Sequence, residues 1–281
     1  MSELVILGKK SGGSGKGMSF YQAALCCPNR ATLSRAEEED PDGSDAADIG
    51  TYFHKLAEAY YLDIPSPVIE FAAINENPAA TEAQRLFREY RQRYSPYEFG
   101  RVVGCEIQLP KEDDRAARAK LDQEFGAEVT IKPDMVVELD ADHADLVSQH
   151  RKVEVQPGFY IVDHKTKKAK TRTLHYEMQF RAQFALYQYV WNLLHPDMQV
   201  KGLLANIIFR YKNMDADSFL TLLVPPPSPS EVAVVKGIVR DGARILSERG
   251  ASWKNPVHCF DWFRVCPHLM SGDCDRTNPT P

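Results

Sequence analysis

The chain of 281 residues is 43% hydrophobic and 26% charged, a globular composition with apolar material for one large core or two modest ones. It has no run of about 18 apolar residues, which excludes a membrane-spanning helix, and the short apolar stretch Leu4 to Leu7 precedes its lysines, unlike a secretory signal. A net charge of −5 argues against coating nucleic acid by charge alone.

A cytoplasmic protein is therefore expected, and its six cysteines suit thiols or metal ligands better than disulfides. Residues 1–17 read as a flexible leader, with 18–281 as one domain: a helical part 18–95, a core 96–224, and a C-terminal helix and cysteine-bearing tail 225–281. The leader's GGSGKG is a Gly/Ser linker and not a phosphate loop. Lys10 stands where the first glycine is needed, and no Ser or Thr follows Lys16.

A helical pattern begins at Ser19 and is broken by Pro28. ADIGTYFHKLAEAYYL predicts a helix with Phe53, Leu56, Ala57 and Tyr60 on one side, and residues 81–95 predict another. RVVGCEIQL, GAEVTIKPDMVVEL and GFYIVDHKT follow as strands close enough in sequence to pair. Residues 175–194 predict one long, largely buried helix. KGLLANIIFRYKN and SFLTLLV are strands around a turn at Met214–Asp217, and Ser228 to Glu231 is a capping box that launches a last helix ending near Gly250. This order of elements predicts an α/β domain: a mixed central sheet flanked by helices.

Three of the predicted strands each carry an acid that interrupts an apolar pattern: Glu106, Asp134 and Asp163. Side chains at i and i+2 share a strand face, so Asp163 projects with Lys165 while His164 points away, its backbone carbonyl between them. Convergent carboxylates share a cation or a proton, because an unpaired buried charge is costly. Carboxylates and a peptide carbonyl are hard ligands suited to Mg²⁺ or Mn²⁺, and an adjacent lysine can orient water or stabilise phosphorane charge. The alternative is a surface ion pair at a strand end. Lys165, Lys167, Lys168, Lys170 and Arg172 form a basic stretch suited to tracking phosphates, or a solvated loop.

Pro133-Asp134 followed by Asp163-His164-Lys165 resembles the PD-(D/E)xK nuclease superfamily. Ser19 with Cys27-Pro28, the Gly50-to-His54 helix, Glu106, and Gln183 with Tyr187 resemble its RecB-like branch, which includes CRISPR-associated and phage exonucleases. The resemblance covers roughly residues 19–190. It implies a restriction-endonuclease-like core in 96–224, with Asp134, Asp163, His54 and the His164 carbonyl as metal ligands. Lys165 would position the attacking water, Glu106 would be a further acid for a second ion or a water-held contact, and Gln183 and Tyr187 would present one helix face to substrate. The implied function is a Mg²⁺- or Mn²⁺-dependent DNA exonuclease acting at DNA ends in recombination, repair or phage- or CRISPR-type processing, with a helicase or recombinase as a partner. The alternatives are a catalytically silent DNA-binding relative, and an enzyme acting on a phosphate-bearing small molecule.

Some RecB-like nucleases join their chain ends with a [4Fe–4S] cluster held by one N-terminal and three C-terminal cysteines. Cys27 (or Cys26), Cys259, Cys266 and Cys274 occur in that order. Their spacing departs from the family's, and zinc with His258 or His268, or unligated thiols, are the alternatives. Cys105 is expected in the core.

Overall fold

A computed structural model describes residues 16–27, 45–62, 77–179 and 181–249. They fall into two compact units. The first takes its residues from 41–107 and 132–227, and the second from 12–40, 108–131 and 228–281. Among the described residues no helix is long and apolar enough to cross a membrane.

The first unit is built on helices α1 (Asp45–Tyr61) and α2 (Pro78–Arg93) and strands β1 (Arg101–Cys105), β2 (Met135–Leu139) and β3 (Gly158–Lys167), with helix α3 (Ala141–Arg151) between β2 and β3. Helices α4 (Leu174–Gln179) and α5 (Ala182–Leu194) then lead to β4 (Val200–Phe209) and β5 (Phe219–Val224). The five strands form one sheet in the order β1-β2-β3-β4-β5. β3 and β4 are parallel and the other pairs antiparallel. Parallel neighbours need a crossover, which α4 and α5 supply. The expected mixed sheet flanked by helices is what the chain forms.

One core joins α1 and α2 to the sheet through Phe53, Leu86, Tyr90, Val137, Val162, Leu204 and Ile208. Asn77 caps α2, its side chain accepting from the amides of Ala79 and Ala80 at 3.0 and 3.2 Å. On the β3 face that carries Val162, His164 also points into this core. Asp163 and Lys165 project to the opposite face.

Several expectations are corrected in detail. The predicted first strand stops at Cys105, because Glu106 takes a left-handed backbone (φ 49°) after an irregular register between Val102 and Gly104. In the stretch from 126 to 139, only Met135–Leu139 forms a strand. The predicted long helix is two, since α4 packs on β5 and α5 on β4, with an extended Arg181 between them. Helix α3 was not expected. Its signal was Asp140, whose side chain accepts from the His143 amide at 2.9 Å.

Among the described residues the second unit holds three helices, α6 (Met18–Cys26), α7 (Arg115–Phe125) and α8 (Pro229–Arg249). α6 ends before Pro28, at an extended Cys27. It packs closely on α8, where a side chain at Gly242 would meet the Tyr21 carbonyl. The unexpected α7 is capped by Asp114 and closed by a left-handed Gly126. The Arg240 guanidinium donates to the carbonyls of Phe125 and Glu124. Ser228 and Glu231 form the predicted cap of α8.

Candidate active site

Strand register explains how three acids from distant parts of the sequence meet. Met135 is opposite Cys105 on one side and Val162 on the other. One residue outward, Glu106, Asp134 and Asp163 therefore fall in a single row across three strands. The row closes with the Glu106 amide donating to the Asp134 carbonyl at 2.8 Å. On β4 the row continues to Ala205, whose small side chain lies beside Asp163.

His54 reaches this row from α1. Its Nε2 is 2.8 Å from the His164 carbonyl oxygen and 3.5 Å from Asp134 Oδ2, while its Nδ1 faces Glu106 at 4.0 Å. Ligand atoms of His54, Glu106 and Asp134 all lie within 4.8 Å of one another. Asp163 stands outside that trio, in contact with Lys165, whose Nζ is 3.0 Å from Oδ1 and 2.8 Å from Oδ2. The His164 amide donates to Asp134 Oδ2 at 2.7 Å. A single residue, His164, thus holds Asp134 through its backbone N–H and meets His54 through its carbonyl, the two peptide groups on either side of its Cα.

The local charge is unbalanced. Burial pushes the Asp134 carboxyl up to about 6; His54 opposes the shift and the neighbouring Asp163 adds to it. Burial, followed by the positive groups His54, Arg151 and Lys165, holds the His164 imidazole well below its usual range, so it is neutral. Burial and the charges of Asp163 and Asp134 raise the Tyr187 hydroxyl. The Cys105 thiol is pushed up to about 12 by burial and by Glu58, Glu106 and Asp134, so it is not a nucleophile at neutral pH.

Helix α5 contributes the other face. Gln183 Nε2 donates to the Tyr187 hydroxyl at 2.8 Å, and Lys165 Nζ lies 5.9 Å over the Phe184 ring. Gln183 and Tyr187 therefore act as a bonded pair (i, i+4), with Arg181 Nε donating to the side-chain oxygen Oε1 of Gln183 at 3.2 Å.

A family model described as the PD-(D/E)XK nuclease superfamily matches residues 18–257. The chain belongs to that superfamily. No curated protein matches it by sequence. Membership in the PD-(D/E)XK superfamily implies a phosphodiester hydrolase that uses a divalent metal.

The residues present fit such an ion. Asp163 Oδ2 is buried, with the Lys165 ammonium 2.8 Å away. Beside it are a carboxylate that burial keeps from ionising easily, an imidazole and a peptide carbonyl, a donor set suited to Mg²⁺ and, through the nitrogen, to Mn²⁺.

Sequence reading missed four participants. Lys132 Nζ sits 2.5 Å from Glu106 Oε2, and both side chains are nearly buried. This lysine lies two residues before Asp134, and period-two alternation could have flagged it. Glu98, Arg151 and Asn206 lie behind the site, each from a different segment, with no local pattern to join them. Of the cysteines, Cys27 is buried and Cys26 half-buried, while Cys259, Cys266 and Cys274 lie outside the described residues.

Proposed function

We propose that this PD-(D/E)XK protein is a deoxyribonuclease of the RecB-like branch that hydrolyses phosphodiesters at DNA ends. The observation that carries the reading is the row of Glu106, Asp134 and Asp163, with Lys165 against the last acid and His54 against the middle one. His54 on α1, beside Asp134, and the bonded Gln183–Tyr187 pair on α5 support the branch.

Asp134, Asp163, His54 and the His164 carbonyl would hold the ion. A divalent cation there supplies a water of lowered pKa and offsets charge on the leaving oxygen. Lys165, anchored by Asp163 and still partly exposed, orients the attacking water and neutralises charge developing on the phosphorane oxygens. Lys132 neutralises Glu106 and so lessens repulsion within the acid row. Gln183 and Tyr187 present donors to the substrate backbone.

Lys168, Lys170 and Arg172 are exposed on the segment leaving β3, three residues and more beyond Lys165. At about 3.3 Å per residue their loop begins roughly 10 Å from it, close enough to steer a nucleic-acid backbone towards the row.

The test is cleavage of end-labelled linear and circular DNA, single- and double-stranded, with Mn²⁺, Mg²⁺ or EDTA, beside Lys165→Ala. Metal-dependent loss of linear DNA alone, abolished in the variant, is expected. Cleavage of circles would replace exonuclease with endonuclease. Equal activity in the variant, or none in a folded wild type shown to bind Mn²⁺, would sink the assignment.

A further inference from the structure

Behind the acid row, on the other face of the sheet, lies a second cluster of ionisable groups that the chemistry does not touch. Arg151 and Glu98 are both fully buried and paired through Nη2 and Oε1. Arg151 Nη2 also donates to the Tyr90 hydroxyl at 2.9 Å, and Nη1 donates to Asn206 Oδ1 at 2.9 Å and to Thr221 Oγ1 at 3.3 Å. Asn206 Nδ2 in turn meets His164 Nδ1 at 2.8 Å and the Tyr90 hydroxyl at 3.0 Å.

The polarity of this chain is fixed from one end. A guanidinium has donors alone, so Arg151 must face the amide oxygen of Asn206 and not its nitrogen. Asn206 then presents N–H to His164, whose Nδ1 becomes the acceptor and whose ring proton sits on Nε2. The rings of Phe53, Tyr61 and Tyr90 surround the imidazole, with Tyr61 stacked on it at 6.1 Å. His164 therefore has one orientation and one tautomer. Its backbone N–H binds Asp134 and its carbonyl meets His54.

We propose that Arg151, acting through Asn206, is the positioning device of the cation site. By locking the His164 ring it fixes the two peptide groups that flank this residue, one holding Asp134 and the other facing His54, and with them the separation of Asp163 from Lys165. The inference rests on the metal-dependent reading above. It assigns Asn206 and Arg151 no contact with the ion or with substrate. Outer groups that orient ligands commonly change metal affinity by about 10–100-fold when lost.

Two measurements test it. The first is Mn²⁺ binding by calorimetry for wild type, Asn206→Ala and Thr221→Val, with the metal-free melting temperature of each. Thr221→Val removes a partner of Arg151 without touching His164, so it is expected to lower the melting temperature and leave Mn²⁺ affinity unchanged. Asn206→Ala is expected to weaken Mn²⁺ binding about 10-fold or more. Unchanged affinity in Asn206→Ala would overturn the proposal, as would an equal loss in Thr221→Val, because either outcome reduces the network to plain stability.

The second measurement needs no variant. The imidazole ¹⁵N shifts of His164 in the metal-free wild type should report Nε2–H with an unprotonated Nδ1. The reverse tautomer would overturn the chain of polarity. Failure of wild type to bind Mn²⁺ at all would instead strike the metal-dependent reading, while the tautomer result would still decide the network.

Discussion

The two faces of β3 bury charge in opposite ways. On one, Lys132 and Lys165 pair with Glu106 and Asp163, while Asp134 has no lysine against it among the described residues and resists ionisation. On the other, Arg151 and Glu98 neutralise each other and spread their remaining bonds over Tyr61, Tyr90, Asn206 and Thr221. Glu98 Oε2 and Arg151 Nε lack partners even there, but the net charge of the pair is zero. Charge without a counter-charge marks a place prepared for an ion, and charge with one marks a scaffold. The pattern of neutralisation, more than burial itself, separates chemistry from support.

Asp134→Asn should break the comparison most sharply. Cleavage should fall by roughly 10²–10³-fold, the range seen when one preorganised electrostatic group is removed. Yet the metal-free variant should be at least as stable as wild type above pH 6, because the amide still accepts from the His164 N–H and no charge is buried. Denaturant unfolding in EDTA beside a cleavage assay reads both effects, and a clear loss of metal-free stability would erase the distinction.

Glu98→Gln is the mirror experiment. It leaves Arg151 as an uncompensated buried cation and should cost about 3–5 kcal/mol in unfolding free energy. A loss below about 1 kcal/mol, the scale of an exposed ion pair, would mean that the pair is not the scaffold its burial implies.

The smallest effect sharpens the comparison through pH. The Asp134 carboxyl titrates near 6 in the folded chain, against its ordinary 3.8. The folded state therefore holds this proton more tightly than the unfolded state does. The associated stabilisation is fully present below about 3.8 and is lost as pH rises through about 6. Metal-free wild type should lose stability across that window more steeply than Asp134→Asn, and equal slopes would assign the shift to another group. With Mn²⁺ added the trend should reverse, since the ion needs the deprotonated carboxylate.

The sheet strands from 158 onward, helix α1 and the cap of α8 were legible because each depends on local periodicity and nearby capping groups. Helices α3 and α7 were missed although Asp140 and Asp114 cap them, because their apolar faces are small: Ala144 and Val147 in one, Leu121 and Phe125 in the other. The single predicted helix over 175–194 split because its halves rest on different strands, a contact that periodicity does not encode.

The candidate site divides in the same way. Sequence by itself determined the identities that carry the chemistry, since an acid in an apolar strand and a lysine two residues on are local facts. It also determined that Asp163 and Lys165 share a face, by the two-residue period of a strand. Tertiary structure decided which acids meet. Glu106 joins His54 and Asp134 through the left-handed turn after β1 and takes Lys132 as its counter-ion, while Asp163 stays with Lys165. It also decided what stands behind His164: Glu98, Arg151 and Asn206 come together through a shared, nearly dry core, where a charge must find its partner regardless of distance along the chain.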